Sequence, residues 1–351
     1  MNLGTGLAIA VLAGAINGLF ALPMKFNRRW AWENNWFLFS LLSLVIFPWV
    51  IALLSVPDLR LAFSTVGPGH LVLATLWGAT VYCGSLMFGI SLGYIGTALS
   101  FALLVGSMSI VGVFLPIALF NPQTLTTSGG KLIVAGVVLL LATLILSVRA
   151  GRLKEKAQAG LNTTGIGDQV KKSALVGMVL AIAGGGLSGF LSLGMNMEWA
   201  VSIRNAAIQF GKASPSSATN AVLALVLLGG AIPNVAYCLY LLKKNHTLNR
   251  YWGPLSNTYS LMILITGVMY SGSVALWGVA ISEPMLGKLG PSIGWALFIG
   301  AMVISSNIGG FVTGEWKNAG KQPVWIMGCS LMLIMIAMVL IGYGNFLIAR
   351  S

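Results

Sequence analysis

Seven carboxylates, two histidines and three cysteines are all that this chain offers for acid–base, metal or thiol chemistry. Cys83, Cys238 and Cys329 each sit inside an apolar run, and no two have metal or redox spacing, so they read as small packing residues. His70 and His246 lie at the ends of apolar runs, and nothing around them composes a zinc or haem site. No phosphate-cradling Walker loop is present, which argues against ATP-driven work. No cluster of histidine, acid and serine stands in the polar segments, which argues against an enzyme. No cofactor or metal is implied.

The carboxylates are the groups that could move a proton. Asp58, Glu155 and Asp168 fall in polar segments, while Glu33, Glu198, Glu283 and Glu315 fall near the ends of apolar runs. A carrier driven by protons needs a group that changes charge on demand, and a partly buried carboxylate serves. Glu198 follows Asn196 at the end of the sixth apolar run. Glu33 lies among Trp30, Trp32 and Trp36, beside Arg28 and Arg29. These two are the candidates for proton coupling; for Glu33 a surface salt bridge is the plainer alternative.

Polar residues inside apolar runs carry more information, because each is costly in lipid and must face a partner or a cavity. The chain has Asn17, Tyr82, Asn196, Asn234, Tyr270 and Asn307 in such places. A polyhydroxylated solute needs amide and hydroxyl partners for its hydroxyls and an aromatic face for its apolar side. Asn17, Tyr82, Asn196, Tyr270 and Asn307 would supply the first, and Trp77 and Trp277 the second. Interhelical hydrogen bonding and plain packing are the alternatives for each.

The elements that must position them follow from composition. Of the 351 residues 57% are hydrophobic and only 8% charged, too few charges to clothe a water-soluble surface. Mean hydropathy is +0.90. Ten runs are long enough to cross a bilayer as helices, at about 3–24, 36–56, 71–92, 95–119, 132–148, 174–196, 219–242, 258–281, 291–312 and 323–347. The first lacks a basic region before it and reads as a membrane helix, not a cleaved signal. Between the fifth and sixth runs lies a basic linker, 149–173, which divides the chain into halves 1–148 and 174–351.

A net charge of +13 could suggest nucleic acid, but the cations are spread through short connections, as the positive-inside rule expects. The odd-numbered connections hold fourteen of the twenty, which predicts that those face the cytoplasm and that both termini lie on the periplasmic side. The halves also share ordered similarities. Gly18–Lys25 ends the first run as Gly189–Asn196 ends the sixth; Tyr82-Cys83-Gly84-Ser85 answers Tyr270-Ser271-Gly272-Ser273; Gly130-Lys131 answers Gly320-Lys321. Five helices per repeat require opposite topologies. Inverted repeats are a device of secondary transporters, which bind substrate between the halves and alternate access by rocking. Many glycines lie in the runs, such as Gly184-Gly185-Gly186 and Gly309-Gly310, where they let helices approach closely.

Several blocks resemble the L-rhamnose–proton symporter family of the drug/metabolite transporter superfamily: Pro23-Met24-Lys25, Trp30-Ala31-Trp32-Glu33, Pro48-Trp49, Arg149-Ala150-Gly151-Arg152 and Glu315-Trp316-Lys317-Asn318-Ala319-Gly320. The resemblance spans nearly the whole chain. It implies an all-α integral membrane protein of ten transmembrane helices in two inverted five-helix repeats, taking up L-rhamnose or a related sugar with a proton across a bacterial inner membrane. The partners so implied are a small sugar, a proton and the lipid bilayer, with no nucleic acid. Two rival readings remain at this point: an exporter of another small solute on the same fold, and a non-transporting scaffold or sensor subunit.

Overall fold

The computed structural model describes residues 2–159, 174–253 and 255–350. Among these residues the structure is entirely helical. Ten helices are long and apolar enough to cross a membrane. They are α1 Leu3–Phe26, α2 Trp32–Ser55, α3 Pro68–Leu92, α4 Leu99–Phe120, α5 Ser128–Lys154, α6 Leu175–Gly194, α7 Thr219–Lys244, α8 Ser256–Ala280, α9 Glu283–Val312 and α10 Lys321–Arg350. Each coincides with one run read from the sequence. Large apolar side chains such as Leu54, Ile145 and Val339 stand exposed on the outer surface, as a lipid-facing surface requires.

The boundaries differ in informative ways. The helix that contains α5 continues to Ala159, so the basic segment begins as helix and not at its predicted edge of 149. Its remainder, Gly160–Ser173, lies outside the described residues, as does Asp168. One helical element, Pro68–Ser109, takes in both α3 and the start of α4, so helical turns continue into the connection between them. The packing along α6 nevertheless reverses. Gly84 meets Gly184 and Tyr94 meets Gly177, but then Leu104 meets Gly185 and Met108 meets Gly189. The chain therefore doubles back between α3 and α4, and α6 packs against both.

Two turns widen to π geometry, Leu42–Ile46 in α2 and Ile110–Phe114 in α4. Each precedes a proline, Pro48 or Pro116. A proline ring clashes with the carbonyl four residues back, and a wider turn relieves the clash. Two further short helices, Leu59–Thr65 and Glu198–Gln209, lie in the connections.

The packing pattern has an internal order. α1 packs on α8 and α9, and α6 packs on α3 and α4. α3 packs on α7, and α2 on α8; α5 pairs with α10, and α2 with α7. Replacing each of the first five helices by the one five places later returns the same set of pairs. Glycine makes the closest crossings possible. A Cβ on Gly78 of α3 would lie 1.8 Å from the Val226 carbonyl oxygen of α7, and one on Gly229 of α7 would lie 1.8 Å from that of Thr75.

The odd-numbered connections gather on one face, where Lys25 at the end of α1 meets Glu315 after α9. The even-numbered ones gather on the other, where the Asp58 N–H after α2 donates to the Gly211 carbonyl after α6, at 3.1 Å. These are called the odd and even faces below.

Candidate functional site

Six helices leave a cavity of about 150 Å³ between the halves. Its polar lining is Asn17 of α1, Tyr82 and Ser85 of α3, Ser188 of α6 and Tyr270 of α8. The Tyr82 and Tyr270 hydroxyls share a hydrogen bond of 2.6 Å across the gap. One comes from each half. Phe20 and Phe39 pack their ring edges against Tyr270, at 5.2 and 5.3 Å between centroids, and fix its orientation. The Asn17 amide nitrogen donates to Ser273 Oγ at 2.8 Å, which ties α1 to α8 beside the cavity.

One wall is aromatic. Trp277 of α8 meets Trp295 of α9 edge-on at 5.2 Å, and Trp295 stacks on Phe298 at 5.6 Å. Trp277 is fully buried, and its indole N–H has no hydrogen-bond partner. An orphaned buried donor of this kind is unfavourable and uncommon in folded proteins. Apart from the two tyrosines, nothing that lines this cavity is ionisable. The site is electrically neutral and mostly aromatic and aliphatic, with amide and hydroxyl groups the smaller part of its lining.

A vestibule lies on either side. The odd-face vestibule, about 520 Å³, is lined by Gly18, Lys25, Lys154, Asn307, Glu315 and Trp316 among others. Glu315 accepts from Lys25, and Lys154 Nζ lies 3.7 Å from its other oxygen. Lys154 also sits over the Trp316 ring at 4.9 Å. Partial burial pushes the Glu315 carboxyl up, but the two lysines outweigh it and hold the group below its ordinary value. The even-face vestibule, about 560 Å³, is lined by Asn196, Arg204, Asn205, Glu283 and Lys288 among others.

Of the residues chosen from the sequence, Asn17, Tyr82, Tyr270 and Trp277 thus converge on the central cavity. Asn307 lies in the odd-face vestibule, its amide donating to the Val303 carbonyl at 2.8 Å. Asn196 lies in the even-face vestibule. Trp77 faces none of these spaces; its indole donates to the Phe190 carbonyl at 2.7 Å and stacks on Phe190, wedging α3 against α6. Glu198 is exposed at the start of the helix Glu198–Gln209. Glu33 is 5% exposed. Its Oε1 accepts from Asn245 Nδ2 at 3.0 Å and Thr247 Oγ1 at 2.8 Å, so it joins the start of α2 to the α7–α8 connection. Sequence reasoning passed over Trp295 and Phe298. Their helix is apolar on every side, so periodicity gave no sign of which face meets a cavity.

The profile of the family described as L-rhamnose-proton symport protein (RhaT) matches residues 2–346. Curated relatives carry the name L-rhamnose-proton symporter. The one from Citrobacter koseri is 28% identical over 348 residues, covering 95% of this chain and 96% of the relative. The one from Cronobacter sakazakii is 28% identical, covering 97% of both chains. A solved crystal structure shares the fold with a TM-score of 0.59 and 16% identity, over 97% of this chain and 96% of that one.

Proposed function

The chain belongs to the L-rhamnose-proton symport protein family, and from that premise we propose that it carries L-rhamnose, or a sugar close to it, together with a proton. It is a multi-pass membrane protein of a transporter family, not an enzyme. The neutral cavity between the halves is the observation that carries the substrate reading. A deoxy-sugar has hydroxyls on one side and a methyl-bearing apolar side. Tyr82, Tyr270, Ser85, Ser188 and Asn17 suit the first, and Trp277, Trp295 and Phe298 suit the second. A volume of 150 Å³ is below the roughly 300–1,000 Å³ of drug-sized sites and fits a single monosaccharide. Charged sugars would meet no counter-charge there and would be rejected by desolvation.

The exchange pattern of helix contacts supports two inverted five-helix repeats, as in the drug/metabolite transporter fold. The sugar is held where the repeats meet, and rocking of the halves exposes it first to one vestibule and then to the other. The charge bias supports a cytoplasmic odd face, periplasmic termini and a bacterial inner membrane.

For the proton, Glu33 is favoured over Glu198. Its carboxylate is buried and accepts two bonds from the other half, so protonation weakens a contact between the halves. Glu198 is exposed and has no such lever. Asn196 and Asn307 serve as contacts along the path on either side of the cavity.

The mostly aliphatic and aromatic remainder of the wall, with Val81, Met108, Leu191 and Val274, favours a second reading, an exporter of a less polar solute. Uptake of labelled L-rhamnose into vesicles carrying the purified protein, with and without an inward proton gradient, separates them. Gradient-dependent accumulation is expected. Folded protein that moves no rhamnose under either condition would overturn the substrate assignment.

A further inference from the structure

We propose that the even-face vestibule is a second sugar-binding station, in which Arg204 and Glu283 grip adjacent hydroxyls of the monosaccharide outside the central cavity. The proposal rests on the reading that the substrate is a neutral sugar.

Arg204 of the helix Glu198–Gln209 and Glu283 at the start of α9 both line the vestibule. Burial pushes the Arg204 guanidinium down to about 10, against the pull of Glu283, so it stays a cation at neutral pH. One of its N–H groups donates to the Met195 carbonyl at 2.8 Å. A guanidinium carries five donors in a planar fork, so most of its donor capacity points elsewhere. Arg204 and Glu283 form no direct ion pair, which leaves space between them.

That pairing suits a vicinal diol. Each hydroxyl can donate its proton to one carboxylate oxygen and accept from one guanidinium N–H, giving charge-assisted bonds on both sides. Asn196 and Asn205 add amides that can both donate and accept. A solute anion would face Glu283, and a solute cation would face Arg204 and Lys288. A neutral polyol satisfies every group present, and it is also what the neutral inner cavity takes.

The two stations are separated by about one helical turn. At the end of α8, Trp277 lines the cavity and Ile281, the residue that caps the helix, lines the vestibule; on α9, Pro291 lines the vestibule and Trp295 the cavity. Each pair is four residues apart, about 6 Å along the axis. Ser192 Oγ of α6 lies 2.7 Å from the Gly112 carbonyl of α4 and 2.9 Å from the Pro291 carbonyl of α9, and so ties the three helices together. The outer station shares no lining residue with the inner cavity and is a compartment of its own.

Isothermal titration of the purified full-length protein with L-rhamnose tests this. Two classes of site are expected. Arg204→Gln and, as a milder change, Glu283→Gln should each weaken one class by about tenfold or more, as loss of a charge-assisted bond implies, and leave the other. The double variant Tyr82→Phe/Tyr270→Phe should weaken the class that those changes spare. A single class that responds to the tyrosine variant but not to Arg204→Gln or Glu283→Gln would overturn the outer station and leave the substrate reading standing. No binding to the folded wild type would overturn both.

Discussion

Removing the two tyrosine hydroxyls one at a time and then together separates stability from affinity. Tyr82 and Tyr270 hydroxyls lie 2.6 Å apart, and each satisfies the other. Tyr82→Phe leaves the Tyr270 hydroxyl orphaned, and Tyr270→Phe leaves that of Tyr82. An orphaned buried hydroxyl costs about 1–3 kcal/mol, and the low end applies here because Tyr270 is only partly buried. The double replacement orphans nothing, so its stability should return close to wild type. The expected coupling is about 1 kcal/mol in favour of the double variant. Affinity should run the other way. If each hydroxyl makes one neutral hydrogen bond to sugar worth about 1 kcal/mol, each single variant weakens binding about fivefold and the double about thirtyfold. Thermal unfolding in detergent reads the first ranking, and the half-saturation of rhamnose uptake reads the second. If the double variant were as destabilised as the sum of the singles, the mutual-satisfaction argument would fail. If it bound sugar like wild type, the hydroxyls would be no part of the site.

Three further outcomes are expected. Glu33→Gln keeps an amide oxygen that Asn245 and Thr247 can donate to, so the protein should fold and exchange rhamnose across vesicles while losing accumulation driven by a proton gradient; retained accumulation would remove Glu33 from coupling. Lys25 and Lys154 hold Glu315 below its ordinary value of 4.5, so its stabilising charge is fully present above that pH and is lost as pH falls through the lower folded value. Glu315→Gln should therefore unfold at a lower temperature than wild type at neutral pH, with the gap closing in acid; a gap constant with pH would mean the charge is not the cause. Gly78→Ala drives a methyl to 1.8 Å from the Val226 carbonyl oxygen and should cost about 1–3 kcal/mol of stability, whereas Gly272→Ala, with nothing within 4 Å, should be neutral or slightly stabilising. Equal melting temperatures for these two glycine variants would refute the close α3–α7 crossing.

Much of the architecture was legible before any tertiary contact was known. All ten helices were, because a stretch of apolar residues long enough for a bilayer has one satisfactory conformation. The helical continuation to Ala159 was missed for the opposite reason. Arg149, Arg152 and Lys154 end the apolar signal, yet the segment Arg-Leu-Lys-Glu-Lys-Ala has strong helix propensity once outside the apolar stretch. Tyr82 and Tyr270 were found because a phenol in the middle of a lipid-compatible run needs a partner, and each proved to be the other's. Trp77 was chosen by the same logic as Trp277, but its indole is spent on a neighbouring carbonyl between α3 and α6.

Hydropathy and charge are properties of contiguous segments, so the sequence by itself determined the membrane class, the number and place of the helices and the bias of cations toward one face. The blocks from Pro23 to Gly320 also pointed to the family. Which polar residues meet is set by the rotation and crossing of each helix, and these depend on glycine contacts between segments a hundred or more residues apart, such as Gly84 with Gly184 and Gly78 with Val226. Only the tertiary structure decided that Asn17, Tyr82, Tyr270 and Trp277 share a cavity with Trp295, that Asn196 and Asn307 stand in vestibules on opposite faces, and that Glu33 bridges the halves.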